Sequence, residues 1–333
     1  MKKHVFENDR DFYERYKAYA QSYQPFEWDT AKNSNRAQYE GMNDLLDSFY
    51  RHYKVICEVK NRLTEEAFIL DFGVFPGVLP NSFRKLFPEY KIKYCGIGLG
   101  LTPAFVKEMK NINISLFETE LDPFYIKPKT VVPIDYRDAD FILFLDIIEH
   151  LANPIYALDS ANRCLKKHGI LVLTTDNITC KENFIGMLMG KTPLLHPLET
   201  HMFFIGDWRP HFREYSKDDL IWLLNHCGFQ VEKHEYFYRR QGEYCLVDGK
   251  LMRIKKKKNK YTGKNIFKKI RWHVWKLGIQ LLMGLMGFFP HFRNHQLLVA
   301  RKINEIDELQ GKRPELQHTL DGWNNIRQMY LNK

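Results

Sequence analysis

Five short apolar runs alternate with segments of helical spacing: AFILDF (67–72), IKYCGIGL (92–99), NISLFET (113–119), DFILFLD (140–146) and ILVLTTDN (170–177). Runs that are apolar throughout belong to strands covered on both faces, and the helices between them supply the covering layers. This pattern constrains the chain to an α/β fold with a mostly parallel sheet, with crossover helices expected over 80–90, 102–110 and 154–165. Ser216 and Asp219 form a capping-box pattern that opens a further helix, ending near Gly228. FQVEKHEYFY (229–238) then reads as a sixth strand, and HQLLVARK (295–302) returns to strand composition as an antiparallel last strand.

The 333 residues, 44% of them hydrophobic, suffice for one large α/β domain with elaborations. Residues 1–64 are polar and aromatic, with helical spacing at Tyr39, Met42, Leu45, Leu46, Phe49 and Tyr53. They read as a helical extension of two or three helices covering one edge of a domain spanning 65–302, and 303–333 read as a polar tail of helix or disorder. Six cysteines, at 57, 95, 164, 180, 227 and 245, show no C-x-x-C pair and no zinc spacing, which reads as reduced thiols in a cytosolic protein. The N-terminus lacks the apolar core of a signal peptide, and no run reaches the roughly 18–20 apolar residues of a membrane span. The expected location is the cytoplasm.

The net charge of +10 is a local property. Residues 250–302 hold 15 Lys or Arg and no acid, while elsewhere 35 basic residues face 40 acidic ones. A nucleic-acid argument from whole-chain charge therefore fails. All of these but Arg301 and Lys302 sit in an insertion over 239–294, before the last strand. There Phe267, Ile270, Val274, Leu277, Leu281, Leu285 and Phe288 recur at three- and four-residue steps until Pro290. With Trp272, Trp275 and Phe289, this suits an interfacial helix on an anionic membrane surface over 253–290, at the inner face of the membrane. Packing on the domain or at a dimer interface is the competing reading. RNA binding is a third, but no base-stacking module accompanies it.

Gly73 and Gly77 close the first strand within ILDFGVFPG (69–77), a turn that lets backbone amides approach a ligand. Downstream, the fourth strand ends in Asp146-Ile147-Ile148-Glu149-His150, followed by Asn153-Pro154, a helix, LKKHG (165–169) and a strand ending in Thr-Thr-Asp-Asn. In this order and spacing the chain resembles the class I S-adenosylmethionine-dependent methyltransferases, including the type found in bacterial surface-polysaccharide pathways. HFREYSKDDLIWLLNHCGFQVEKHEYF (211–237) is similar to the next segment of that family. The resemblance covers roughly residues 60–240 plus 295–302. It implies a Rossmann-like, seven-stranded sheet with helices on both faces, binding S-adenosyl-L-methionine.

The resemblance also implies site residues. Asp71, Gly73, Phe75 and Gly77 correspond to the loop around the methionine end of the cofactor, although Phe75 and Pro76 replace smaller residues. Gly98 stands where an acid normally accepts bonds from both ribose hydroxyls. Losing such an acceptor costs about 1.5–3 kcal/mol unless another group substitutes. Glu118 or Glu120 is a candidate for the adenosine, and Asp146 with Ile147 completes the cofactor set. If a helical turn starts at Asp146, then Asp146, Glu149 and His150 share one face. They then offer a general base, a divalent metal site as in some quinone-type O-methyltransferases, or a structural cap and packing group, and no metal site is assigned. His196, His201 and His211 follow the fifth strand, where the acceptor usually sits. His211 and His201, with His150, are the candidate catalytic bases. The implied function is O-methylation of a sugar or lipid-linked glycan. The alternative is a non-catalytic, methyltransferase-like scaffold, and a dehydrogenase on the same sheet is a weaker rival.

Overall fold

The computed structural model describes residues 9–22, 50–119, 121, 136–193, 211–238, 244–247, 250–253 and 266–309. Helices α1 (Asp9–Ser22) and α2 (50–60) precede β1 (Glu66–Phe72), α3 (Val78–Leu86), β2 (Lys91–Gly98), α4 (Pro103–Asn111) and β3 (Ser115–Glu118). Then come β4 (Ala139–Leu145), α5 (Pro154–Cys164), β5 (Leu165–Asp176), α6 (Lys181–Leu188), α7 (Lys217–His226) and β6 (Phe229–Phe237). A hairpin of β7 (Tyr244–Val247) and β8 (Lys250–Arg253) leads to α8 (Ile266–Met286), β9 (His295–Lys302) and a short α9 (Ile306–Leu309).

The seven-stranded sheet has the order β3-β2-β1-β4-β5-β9-β6. All pairings are parallel except those of β9, which runs antiparallel between β5 and β6. Strand order reverses between β1 and β4, and in such sheets the crevice beyond the carboxyl ends at this point takes the ligand. The expected α/β architecture is present, and β9 has the bounds read from the sequence.

Residues of β1 are buried on both faces because Ile69 and Leu70 point into opposite cores. One core joins Ile69, Leu143, Val172 and Val299 to Phe12 and Tyr16 of α1 and to Val55, Ile56 and Val59 of α2. The N-terminal helices thus cover a face of the sheet from β1 to β9, where the sequence suggested an edge. Full burial of Phe12 and Ile56 stabilises that docking by about 1.5–3 kcal/mol per side chain. The other core places α5 and α7, through Leu158, Ala161, Leu220 and Leu224, against Leu70, Phe144, Leu171 and Leu298.

Helix starts follow local chemistry. Asn153 accepts from Tyr156 N at the head of α5, with Pro154 in the first turn. Ser216 and Asp219 make both halves of the capping box at α7. The hairpin β7–β8 went unforeseen, because four-residue strands within a basic stretch leave no readable alternation. At the carboxyl side, residues 303–309 pack back on the domain: Ile303 N and Asn304 N donate to Gly228 O, and Ile306 is buried.

Candidate active site

The first half of the site lies beyond β1, β2 and β3. Gly73 and Gly77 have φ of +87° and +88°, a conformation that side-chain-bearing residues adopt only with strain. A Cβ on Gly73 would also stand 2.4 Å from Ile147 Cδ1, so the turn after β4 closes directly onto the turn after β1. The amides of Gly73 and Val74 donate inward, to Ile97 O at 2.7 and 3.2 Å, and Gly77 N donates to Val74 O at 2.8 Å. These N–H groups hold the turn together instead of facing a ligand, as the sequence had suggested they would. Phe75 remains half exposed with its ring 5.4 Å from Phe105, and Leu99 and Val106 are exposed as well, giving this edge an apolar flank.

Asp71 lies beneath the loop, buried and bonded to Tyr94 OH at 2.6 Å. Burial pushes its carboxyl up to about 7, against the opposing pull of the Tyr94 bond and Arg51. Gly98 ends β2 beside Glu118 in the β2–β3 ladder. The Glu118 carboxylate accepts from the amides of Gly100 (2.9 Å) and Leu101 (3.3 Å), so an acid stands one strand away from the position where the sequence lacks one.

The second half lies beyond β4, β5 and β9 and is charged. Asp146 sits at φ +50° and is followed by a 3-10 turn over Ile148–His150. Asp146, Glu149 and His150 therefore do not share a helical face, because the left-handed residue turns the first carboxylate away from the other two. Asp146 Oδ1 accepts from Thr174 Oγ1 at 2.8 Å, and its other oxygen pairs with Arg51 of α2. Glu149 is buried and accepts from Thr175 Oγ1 at 2.8 Å. Burial, and then the Asp176 charge, raise its carboxyl above the usual carboxylate range. The Glu149 carbonyl takes the amides of Phe212 and Arg213, which fixes the segment that carries His211.

His211 is the centre of this half. Its Nδ1 lies 3.5 Å from Asp176 Oδ2 and 3.8 Å from Glu214 Oε1, and its ring meets the His150 ring edge-on at 4.8 Å. Glu214 foremost, then Glu149 and Asp176, hold its imidazole above the ordinary histidine value, against the effect of burial. Of the three expected bases, the fold brings His211 and His150 together. His201, like His196, lies outside the described residues.

Glu149–His150–His211 and Asp176–His211–Glu214 each place three ligand-type atoms within 4.8 Å. No metal site is assigned to either cluster; Asp176 Oδ1 is bonded to His295, and Glu214 accepts from Asn183 at 2.8 Å. Asp176, Glu214, Thr174, Thr175, Arg51 and His295 were not foreseen as site residues. Only the Thr-Thr-Asp-Asn strand end gave a hint of them.

Beside this half, a cleft of about 410 Å³ runs between the heads of α5 and α7. Phe212, Arg213, Trp222, Asp218 and Asp219 are among its lining residues. Another cleft, lined by Glu66, Lys91 and Asp140, opens at the opposite edge of the strands, remote from these groups.

Fold and charge distribution together describe a class I methyltransferase architecture. A family described as a methyltransferase domain matches residues 48–234, and the chain belongs to that family. It is an S-adenosylmethionine-dependent methyltransferase. Among solved structures, the chain is similar to one from the complex of the Haloferax volcanii Trm112 methyltransferase activator with a methyltransferase (15% identity, 85% of this chain and 100% of that one, TM-score 0.46). It is also similar to a Galdieria sulphuraria sarcosine dimethylglycine methyltransferase (12% identity, 79% and 90% covered, TM-score 0.43). A Bacillus halodurans methyltransferase is a third (16% identity, 76% and 99% covered, TM-score 0.41). No curated protein matches the sequence. The residue types present fit the cofactor: two left-handed glycines, an apolar flank and the Glu118 carboxylate lie beyond β1, β2 and β3.

Proposed function

We propose that the enzyme methylates a hydroxyl group of a sugar or a lipid-linked glycan, with His211 as the general base. The observation that carries this reading is the placement of His211 between Asp176, Glu214 and Glu149. Nδ1 faces the acids, so Nε2 is left to take the acceptor proton, and the acids stabilise the imidazolium that results. His150 backs the ring. S-adenosylmethionine, when bound, supplies an electrophilic methyl group. Gly73, Phe75, Gly77, Gly98, Glu118, Asp146 and Ile147 border its place, with Asp71 beneath, and Glu118 substitutes for the acid missing at Gly98. The neighbouring cleft suits a sugar: Phe212 and Trp222 offer ring faces, while Arg213 and Asp218 offer partners for hydroxyls.

The test is His211→Ala, assayed as S-adenosylhomocysteine release on a panel of sugars and lipid-linked glycans. The expected loss in kcat is about 10²–10⁴-fold, with cofactor affinity by calorimetry unchanged. Wild-type kcat should rise with pH through a midpoint above the ordinary histidine value. Retained activity in the variant would overturn the assignment.

A second reading concerns how the acceptor is reached, and α8 favours it. Val274, Leu277, Leu281, Leu285 and Phe288 are all exposed, the last at 82%, next to the acid-free basic stretch. Among the described residues no helix is long and apolar enough to cross a membrane, so this stripe is read as lying along an anionic surface. The Leu281→Glu/Leu285→Glu double variant should lose co-sedimentation with anionic vesicles while neutral vesicles leave both proteins in solution. Equal sedimentation of variant and wild type would remove the membrane reading.

A further inference from the structure

His295 opens β9, directly after the inserted helix, and is fully buried. Its Nδ1 lies 2.9 Å from Asp176 Oδ1, and its Nε2 lies 2.9 Å from Asp146 Oδ1. An ionised carboxylate only accepts hydrogen bonds, so both ring nitrogens must donate for both bonds to exist. With both carboxylates ionised, the ring is an imidazolium held between two acids on adjacent strands. Asp146 also receives Thr174 and Arg51, so two cations and a hydroxyl meet its charge. Asp176 turns its other oxygen to His211. The ring of Phe237 packs edge-on against His295 at 5.0 Å.

The bridge spans the two halves of the site. Asp146 follows β4, whose next residue, Ile147, closes on Gly73 of the cofactor turn. Asp176 ends β5 and faces the base. We propose that His295 is a positioning residue: as a buried imidazolium it ties Asp146 to Asp176, and so fixes the orienting acid of His211 relative to the cofactor turn. This rests on the reading of His211 as the base. The residue touches no reacting atom. It acts by holding Asp176 in place and by partly neutralising its charge. Without the imidazolium, the full Asp176 charge acts on His211, which also faces Glu214, Glu149 and the His150 ring. Protonated His211 is then favoured, and its titration moves to higher pH.

The test uses the full chain without acceptor or cofactor, labelled with ¹⁵N in its histidines. In the wild type, the His295 ring should show two protonated nitrogens at neutral pH. A neutral single tautomer would overturn the proposal without need of any variant. In His295→Gln, which can donate hydrogen bonds but carries no charge at any pH, the His211 midpoint should move upward. The same substitution in an Asp176→Asn background should leave the His211 midpoint unmoved. An unchanged His211 midpoint in folded His295→Gln would equally overturn it. Neither readout depends on turnover, so the base assignment itself is judged separately by His211→Ala. If that variant retained activity, the bridge would stand as a structural device and the base reading would fall.

Discussion

The two halves of the carboxyl-terminal edge solve different problems with different materials. Beyond β1, β2 and β3 the surface is built of glycines, an apolar flank and one acid that braces a turn. Beyond β4, β5 and β9 it is built of Asp146, Glu149, Asp176, His211 and His295, most of them bonded to one another. The first half works by shape: its backbone must approach closely, and a side chain there is in the way. The second works by charge: its acids and histidines set one another's protonation in a poorly hydrated place. A methyl transfer needs both, because it is a displacement that demands alignment and the removal of one proton.

The comparison breaks most visibly at Gly73. In Gly73→Val the backbone conformation alone should cost about 1–3 kcal/mol, before the Ile147 contact is counted. Urea unfolding should show that loss, and calorimetry should show S-adenosylmethionine binding abolished. His211→Ala in the charged half should leave S-adenosylmethionine binding by calorimetry unchanged while turnover is lost. Were both variants to lose cofactor binding alike, the division between shape and charge would be wrong.

Much of this was legible in the sequence, and what was not has physical reasons. Continuous apolar runs located β1, β2, β4 and β5 because a strand buried on both faces has no polar alternation to hide it. The Ser216–Asp219 box was visible because a cap is a local interaction between residues three apart. The charged half is another matter. His295 meets Asp176 across 119 residues of chain and Asp146 across 149, and no spacing rule reaches that far. Arg51 sits in a helix whose sequence shows only amphipathic periodicity. The expected shared face of Asp146, Glu149 and His150 failed at one backbone angle, the positive φ of Asp146, which residue identity alone does not dictate.

Asp71 sharpens the comparison, since it is an acid placed in the shape-built half. Its folded pKa of about 7 lies above the value near 3.9 of an unfolded aspartate, and the main cause is burial. Below about pH 4 both states carry the proton and burial of the group is not penalised. Between there and about 7 the unfolded chain ionises while the folded one retains its proton, so stability falls as pH rises. Above 7 the loss is complete and constant. Asp71→Asn cannot ionise, and its amide oxygen can still accept from Tyr94. The variant should therefore lie near wild type at pH 4 and gain on it by roughly 3–4 kcal/mol by pH 8, as read from urea midpoints across that range. A flat difference would mean that Asp71 is ionised in the fold at low pH, held by Arg51 instead of penalised by burial. The glycine half would then carry a functional charge of its own.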